Sequence, residues 1–335
     1  MKEKIYNPPP LILNKGHFID LYYDGYEEMQ SITDNWEHQC TYQLLPDALK
    51  GHHQVLHLQT MQLAYVERPG GMMSNSGSAK DCITFSVLEE CADKACFHRM
   101  KPQVGDIVFF DDSAPYNFMT NSPFKLCAVN IQKEALGPLL PKLSQALNHT
   151  IKDTDALMSK TLRSILKQFT DQTDVEKNEK AFKAAEEKIK NVLIKLFSEQ
   201  TPMLPKLTKG EETALDIRDQ VYHHMDGKIS LKSLSNQHQI SEKTLQNSFK
   251  SLFGFTPVHF LRQLKLNLVR NDLNKSNIEQ NTVSNIALKW GFTHMGRFSR
   301  YYTDLFGENP SQTLKRAHQK SLALEKHCAL RQEEV

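Results

Sequence analysis

Two stretches in the last third of the chain follow one pattern, and that repetition limits the fold more than any other feature. Gly254 and Gly307 stand 53 residues apart, as do Pro257 and Pro310; Leu234 and Ile286, like Ile240 and Phe292, stand 52 apart. In the first stretch Leu231, Leu234 and Ser235 open an amphipathic helix, and His238-Gln239-Ile240 makes a turn. Ser241 caps a second helix whose apolar face is Leu245, Phe249 and Leu252, ending near Phe253-Gly254. In the second stretch Val283, Ile286, Ala287 and Trp290 supply the first helix and Gly291-Phe292 the turn. Phe298, Tyr301, Tyr302 and Leu305 supply the next helix, ending at Phe306-Gly307. The change of offset from 52 to 53 makes the second turn one residue longer. A helix from about Pro257 to Leu273 joins the two units.

A helix, a turn and a second two-faced helix are the parts of a helix-turn-helix, whose second helix enters the DNA major groove. Lys243, Gln246, Asn247 and Lys250 fall opposite the apolar face of the first unit's second helix. Arg297, Arg300 and Thr303 do so in the second unit, with His294 and Met295 at the helix start. Carboxamides pair bidentately with adenine, and long cations reach guanine or phosphate. The joining helix would hold both recognition helices on one side of the duplex, about one turn or ~34 Å apart. The bland alternative is an α-helical domain whose amphipathic helices only pack; a duplicated unit with matched Gly and Pro spacing argues against it.

Charge agrees. Residues 206–320 carry 17 Lys and Arg against 10 Asp and Glu, leaving 24 against 29 elsewhere. A basic C-terminal part on an acidic remainder suits a protein of which one part meets a polyanion.

These stretches resemble the AraC/XylS family of transcription regulators. Ile240 to Lys250 followed by Leu252-Phe-Gly-Phe-Thr-Pro257 is similar to that family's first unit, and Lys265 to Arg270 with Leu273 to its linker helix. Val283 to Phe292, continuing through Phe298 to Leu305-Phe-Gly-Glu-Asn-Pro310, is similar to its second unit. The resemblance covers about 100 residues, and Val269 stands where the family often has alanine. Thr244 to Phe249 and Trp290 to Phe298 look most like the branch containing the ethanolamine-utilisation regulator. The resemblance implies that Lys243, Gln246, Asn247, Arg297 and Arg300 read the groove, while Lys250, Ser299 and Thr303 contact phosphate. It implies a promoter or operator as partner, RNA polymerase as a further one, and activation as the output.

The 335 residues suffice for two domains, and no apolar run approaches the roughly 18 residues of a membrane span. Met1 to Pro10 lacks a signal-peptide core, so a cytoplasmic protein without a membrane partner is expected. The expected organisation is a β-rich sensing domain over 1–152, a helical linker or dimerisation region over 153–201, a linker over 202–210, the DNA-binding domain over 211–320 and a tail over 321–335. The fold class is α+β: a cupin-like barrel or sandwich with helices, then an all-α domain of two helix-turn-helix units.

In the N-terminal part Val55–Leu58, Met61–Val66, Ile83–Leu88, Ile107–Phe110 and Leu126–Ile131 read as strands between Pro69-Gly70-Gly71, Ser76-Gly77-Ser78, Gly105-Asp106 and Ser122-Pro123. The stretch from Gln103 to Phe118 looks like the Gly-Asp hairpin of a cupin-like barrel, the ligand-sensing or dimerising domain that family members often carry. Leu157, Leu162, Ile165, Leu166 and Phe169 mark one helix; Phe182, Ala185, Ile189, Val192 and Leu196 mark another. Their stripes pack on the barrel or form a homodimer seam, and a homodimer is expected. A small-molecule effector is a further expected partner, with Tyr65, Glu67, Arg68, Phe85, Arg99, Phe110 and Tyr116 as candidate ligand residues beside Phe118. For any one of them, plain core or plain surface is the alternative.

No cofactor and no metal are expected. His52, His53 and His57 read as surface histidines, and on a strand His53 and His57 would stand about 13 Å apart. Cys40, Cys82, Cys91, Cys96, Cys127 and Cys328 lack the paired spacing of a zinc site and read as reduced thiols. A regulator rather than an enzyme is therefore expected. The alternatives are a cupin-type metalloenzyme and a methyl-accepting DNA-repair regulator acting through Cys91 or Cys96. An RNA-binding protein would need an aromatic sheet motif that the sequence lacks.

Overall fold

A computed structural model of the chain describes residues 8–24, 28, 40–46, 50–68, 71–170, 179–204, 206–224, 229–276 and 281–319. The tail 321–335, Cys328, Pro69-Gly70 and Pro205 lie outside the described residues. The chain divides into two compact units, one of 1–41, 48–212 and 251–254, the other of 42–47, 213–250 and 255 onward.

The first unit is built on strands whose residues alternate between two faces. Seven form one antiparallel sheet in the order β1 (Phe18–Asp24), β3 (Lys50–His57), β4 (Met61–Arg68), β10 (Phe124–Gln132), β6 (Cys82–Cys91), β8 (Asp106–Asp111) and β11 (Thr150–Lys152). Four more form a second sheet in the order β2 (Cys40–Gln43), β5 (Met72–Ser76), β9 (Tyr116–Thr120) and β7 (Ala95–Phe97). On one face of the larger sheet Leu56, Leu63, Ile83, Phe85, Phe109, Val129 and Ile131 are buried against helices α2 (Leu157–Thr170) and α3 (Glu179–Glu199), which follow the short α1 (Leu140–Gln145). The other face shares an aromatic core with the smaller sheet: Phe110, Phe124 and Leu126 meet Met72, Phe97 and Phe118. The expected α+β class with a β-sandwich and packed helices is what the chain forms.

Of the two readings of the helical stripes, packing on the sheet is the one observed, and the expectation for the histidines needs correction. The stripes of α2 and α3 lie in the core against the sheet, with Phe169 and Phe182 ring centroids 5.4 Å apart, so they offer no seam to a second copy. The Glu186 carboxylate on α3 also accepts hydrogen bonds from the Thr60 amide and hydroxyl at 2.6 and 3.0 Å, tying the helix to the β3–β4 turn. The histidines of β3 are not all on the surface: His53 is 6% and His57 8% exposed. Both take the inward parity of the strand, away from the helices.

The second unit is helical: α4 (Lys209–His224), α5 (Leu231–Gln237), α6 (Glu242–Phe253), α7 (Pro257–Lys275), α8 (Val283–Lys289) and α9 (Met295–Phe306), then a helical stretch over 310–319. The repeat is literal: α5 and α8 have seven residues each, α6 and α9 twelve. Ser230 caps α5 and Thr282 caps α8, each through its side chain, and Thr256 caps α7 ahead of Pro257. Gly307 has φ of +69° and closes α9 in a left-handed cap that a β-carbon would strain; Gly254, with φ of +75°, stands at the matching place after α6.

Candidate nucleic-acid interface

Helix α6 is fixed by Leu245, Phe249, Leu252 and Phe253, all at most 1% exposed, with the Phe249 ring 5.7 Å from Phe260 of α7. Helix α9 is fixed by Phe298, Tyr302 and Leu305 against Leu266, Val269 and Leu273 of α7 and Ile286 and Ala287 of α8. Val269 fits this core without exposure. With the undersides held, the opposite faces are set by the 100° step of the helix.

Those faces carry the expected residues. Lys243, Asn247 and Lys250 are exposed and Gln246 is half-exposed on α6. His294, Arg297, Arg300 and Thr303 are exposed and Ser299 is half-exposed on α9 or at its cap. Arg300 pairs loosely with Asp304 at 3.8 Å, both well exposed. The side chains of the other eight carry no hydrogen bond or ion pair to a described residue. Long donors held on rigid helices without internal partners are free to bond a ligand, and the cost of fixing them falls on binding rather than on folding. Gly296 begins this face on α9, and a β-carbon there would meet nothing within 4 Å.

The two turns differ as the spacing predicts. The first runs from His238 to Ser241 and carries Gln239 at φ of +52°; the second runs from Trp290 to His294 and carries Gly291 at +84°. Ser241 accepts from the Thr244 amide at 3.0 Å, whereas His294 caps α9 without a side-chain bond. Below α9 the Tyr302 hydroxyl lies 2.9 Å from Thr313 Oγ1, which donates to Glu308 at 2.9 Å. Arg316 grips both oxygens of Glu308 at 2.5 and 2.9 Å, and Arg270 of α7 stands 3.4 Å away. Burial would raise the Glu308 carboxyl; the bonds from Arg316 and Thr313 and the charges of Arg316 and Arg270 hold it below the usual range instead.

The candidate ligand residues of the first unit are scattered. Phe85 lies in the core against the helices, 6.1 Å from Phe109. Tyr65 lies there too, bonded to Glu67 at 2.9 Å and covered by the Arg163 guanidinium at 3.7 Å. Arg68 is buried and donates to His53 at 3.3 Å, and Arg99 is half-buried after β7. Glu67 and Arg68 share an outer groove with Lys50, Glu90 and Lys125. Phe110 stacks on Tyr116 at 4.1 Å. Tyr116 alone of these lines a cavity of about 450 Å³, together with His17, His57, Gln62, Thr84 and Asn130.

One wall of that cavity is a row of polar side chains across four neighbouring strands. Gln62 is in register with both His57 and Asn130, and Asn130 with Thr84. The His57 ring and the Gln62 carboxamide are 2.9 Å apart, the Gln62 and Asn130 carboxamides 3.1 Å, and Thr84 donates to Asn130 at 2.5 Å. Ser78 continues the row 2.6 Å from Thr84, and the Asn14 amide begins it by donating to His57 Nδ1 at 3.1 Å. Burial, then the neighbouring His17, lowers the His57 pKa and keeps the ring neutral. Among the described residues its lining includes no Asp, Glu, Lys or Arg. Apart from Tyr116 these residues were not among the sequence candidates, yet a signal existed. Each sits between two apolar neighbours on a strand, as in Leu56-His57-Leu58, Met61-Gln62-Leu63, Ile83-Thr84-Phe85 and Val129-Asn130-Ile131.

Among the described residues no three His, Cys, Asp or Glu side chains are grouped to hold a metal. Cys82, Cys96 and Cys127 are buried, Cys91 is half-buried, and these four form no disulfide. No helix among the described residues is long and apolar enough to cross a membrane.

The profile of the Helix-turn-helix domain family matches residues 234–316. The chain is 32% identical over 125 residues to the XylDLEGF operon transcriptional activator of Pseudomonas putida, which is 37% of this chain and 36% of that protein. It is 30% identical over 97 residues to the probable thc operon regulatory protein of Rhodococcus erythropolis, 29% of either chain. In sequence, therefore, the chain spans about a third of the length of these relatives. Among solved structures the AraC-like transcriptional activator CuxR aligns over 80% of this chain and 98% of its own at 14% identity, with a TM-score of 0.42.

Proposed function

The chain belongs to the AraC/XylS family through its C-terminal domain, and from that premise we propose that it is a sequence-specific activator of transcription controlled by a small molecule. The observation that carries the DNA-binding part is the pair of matched helix-turn-helix units, each with a buried underside and an outer face of exposed donors. Lys243, Gln246 and Asn247 read one groove segment, Arg297 and Arg300 the next. Lys250, His294, Ser299 and Thr303 fix the register on phosphates. RNA polymerase is the downstream partner, and a second copy would dock on a surface other than the stripes of α2 and α3. The protein acts in the cytoplasm, as a regulator rather than a catalyst.

Fluorescence-anisotropy titration with the chain's own upstream DNA, against scrambled competitor at several salt concentrations, tests this. Arg297→Ala and Gln246→Ala are each expected to weaken the specific complex by about 1–3 kcal/mol and the competitor complex far less. Equal loss on both DNAs would leave a basic surface without readout.

The effector sits in the cavity walled by His57, Gln62, Asn130 and Thr84. A buried charge needs a counter-charge, and the described residues of this lining supply none. The effector is accordingly an uncharged molecule with several hydroxyl or amide groups. In a thermal-shift panel, neutral polyols and amides should stabilise the protein and Asn130→Leu should remove the response. Stabilisation by carboxylates alone would sink the assignment.

A further inference from the structure

A short segment from the N-terminal part of the sequence is built into the helical unit. Residues 42–46 group with it, although Tyr42 and Gln43 also end strand β2 of the smaller sheet. Gln43 and Leu44 are 3% and 0% exposed, and the Tyr42 ring meets Tyr222 of α4 edge-on at 5.7 Å. The contact centres on Gln43. Its amide donates to Asn267 Oδ1 at 2.9 Å, and Asn267 Nδ2 donates back to its carbonyl at 2.7 Å. Asn267, in the middle of α7, thus pairs with the segment as a neighbouring strand would. Asparagine lowers helix propensity, and its place in a helix interior is explained by this pairing.

The Gln43 side chain reaches further. Its Nε2 donates to the Leu305 carbonyl at 2.7 Å and to Leu45 O at 3.0 Å. Leu305 is the penultimate residue of α9, and the last four carbonyls of a helix have no partner within it. Gly307 N–H satisfies Thr303 O; a residue 262 positions away satisfies Leu305 O. Gln43 therefore ties the linker helix to the end of the second recognition helix. Twelve residues make α9 about 18 Å long, so a tilt of about 5° at the pinned end moves its reading end by about 1.5 Å. A hydrogen bond to a base edge does not survive such a shift.

We propose that Gln43 and Asn267 are positioning residues for DNA binding, which set the pose of the second recognition helix without touching DNA. The proposal rests on the DNA-binding reading. The test is DNase footprinting of the full chain on its upstream DNA, with Arg297→Ala marking the half-site read by α9. Gln43→Met keeps the side chain's bulk and removes its donors; Asn267→Asp keeps one bond and removes the other. Both are expected to lower occupancy of the Arg297-dependent half-site about fivefold to tenfold and leave the Gln246-dependent half-site at its wild-type level. Thermal unfolding run alongside reports whether each variant folds. Equal weakening of both half-sites, or none in a folded variant, overturns the positioning role. Absence of any specific footprint from the unsubstituted chain would instead overturn the DNA-binding reading on which it rests.

Discussion

The two helix-turn-helix units have the same helix lengths and the same capping logic, yet they are held together by different forces and offer different chemistry. The first rests on aromatic packing, Phe249 and Phe255 against Phe260, and presents Gln246 and Asn247 between two lysines. The second rests partly on a charged bracket, Glu308 between Arg316 and Arg270, and presents arginines after a glycine. Apolar contact is indifferent to pH and to the identity of its partner within limits of volume. A half-buried ion bracket is sensitive to both. Duplicated geometry has therefore left two readers that can be disturbed separately.

The largest separation should come from the bracket. Glu308→Ala leaves Arg270 and Arg316 without their shared anion and is expected to cost about 3 kcal/mol, read as a lower melting temperature. Hydrogen exchange should quicken in α9 before α6; uniform quickening would mean that the units do not unfold separately. Acid acts on the same bracket. A carboxylate held below its ordinary pKa stabilises the fold above the unfolded value, about 4.3, and loses that contribution as pH falls towards the folded one. The second unit should thus loosen as pH falls below about 4.3, and the first also has one acid-sensitive tie, Ser251 of α6 donating to Glu211, whose carboxyl is held down at about 2 and so gives way at lower pH. A smaller effect distinguishes the readers: Arg297→Ala should relax preference at a guanine, Gln246→Ala at an adenine. Binding-site selection with each variant would show this, and relaxation at the same base pair in both would break the comparison. The smallest effect concerns Gly296. Alanine there should raise stability by about 0.5 kcal/mol, since a β-carbon meets nothing, and lower DNA affinity a few-fold by holding the duplex away. A variant that binds as well as the parent would show that the glycine serves no close approach.

The helical unit was largely legible because each of its signals is local. Capping residues, Gly254, Gly307 and the two proline positions fix the ends of helices within a few residues of themselves. Even the extra residue of the second turn could be read from a change of spacing. The sheets were less legible, since a strand's partners lie far along the chain. Strand β5, Met72-Met-Ser-Asn-Ser76, carries a mixed polar sequence and gave no alternation to follow. The cavity was missed for a related reason. Aromatic residues suggested a pocket, but Phe85 takes the parity of the helix-packed face and only Tyr116 reaches the space. The Gln43 contact could not be read at all, as nothing local marks a glutamine that will cap a helix 262 residues away.

The polar row that walls the cavity has a consequence of its own. Each carboxamide and hydroxyl in it can give as well as take a proton, so the row alone has no preferred sense. Thr84 supplies one: its hydroxyl donates to Asn130 Oδ1, Asn130 Nδ2 donates to Gln62 Oε1, and the Gln62 amide nitrogen faces His57 Nε2. A single hydroxyl thereby sets the polarity of the row as far as the ring, as one end magnet sets a chain of compass needles. An occupant that took the Thr84 proton for itself would allow the row to reverse and would meet a different face of the wall.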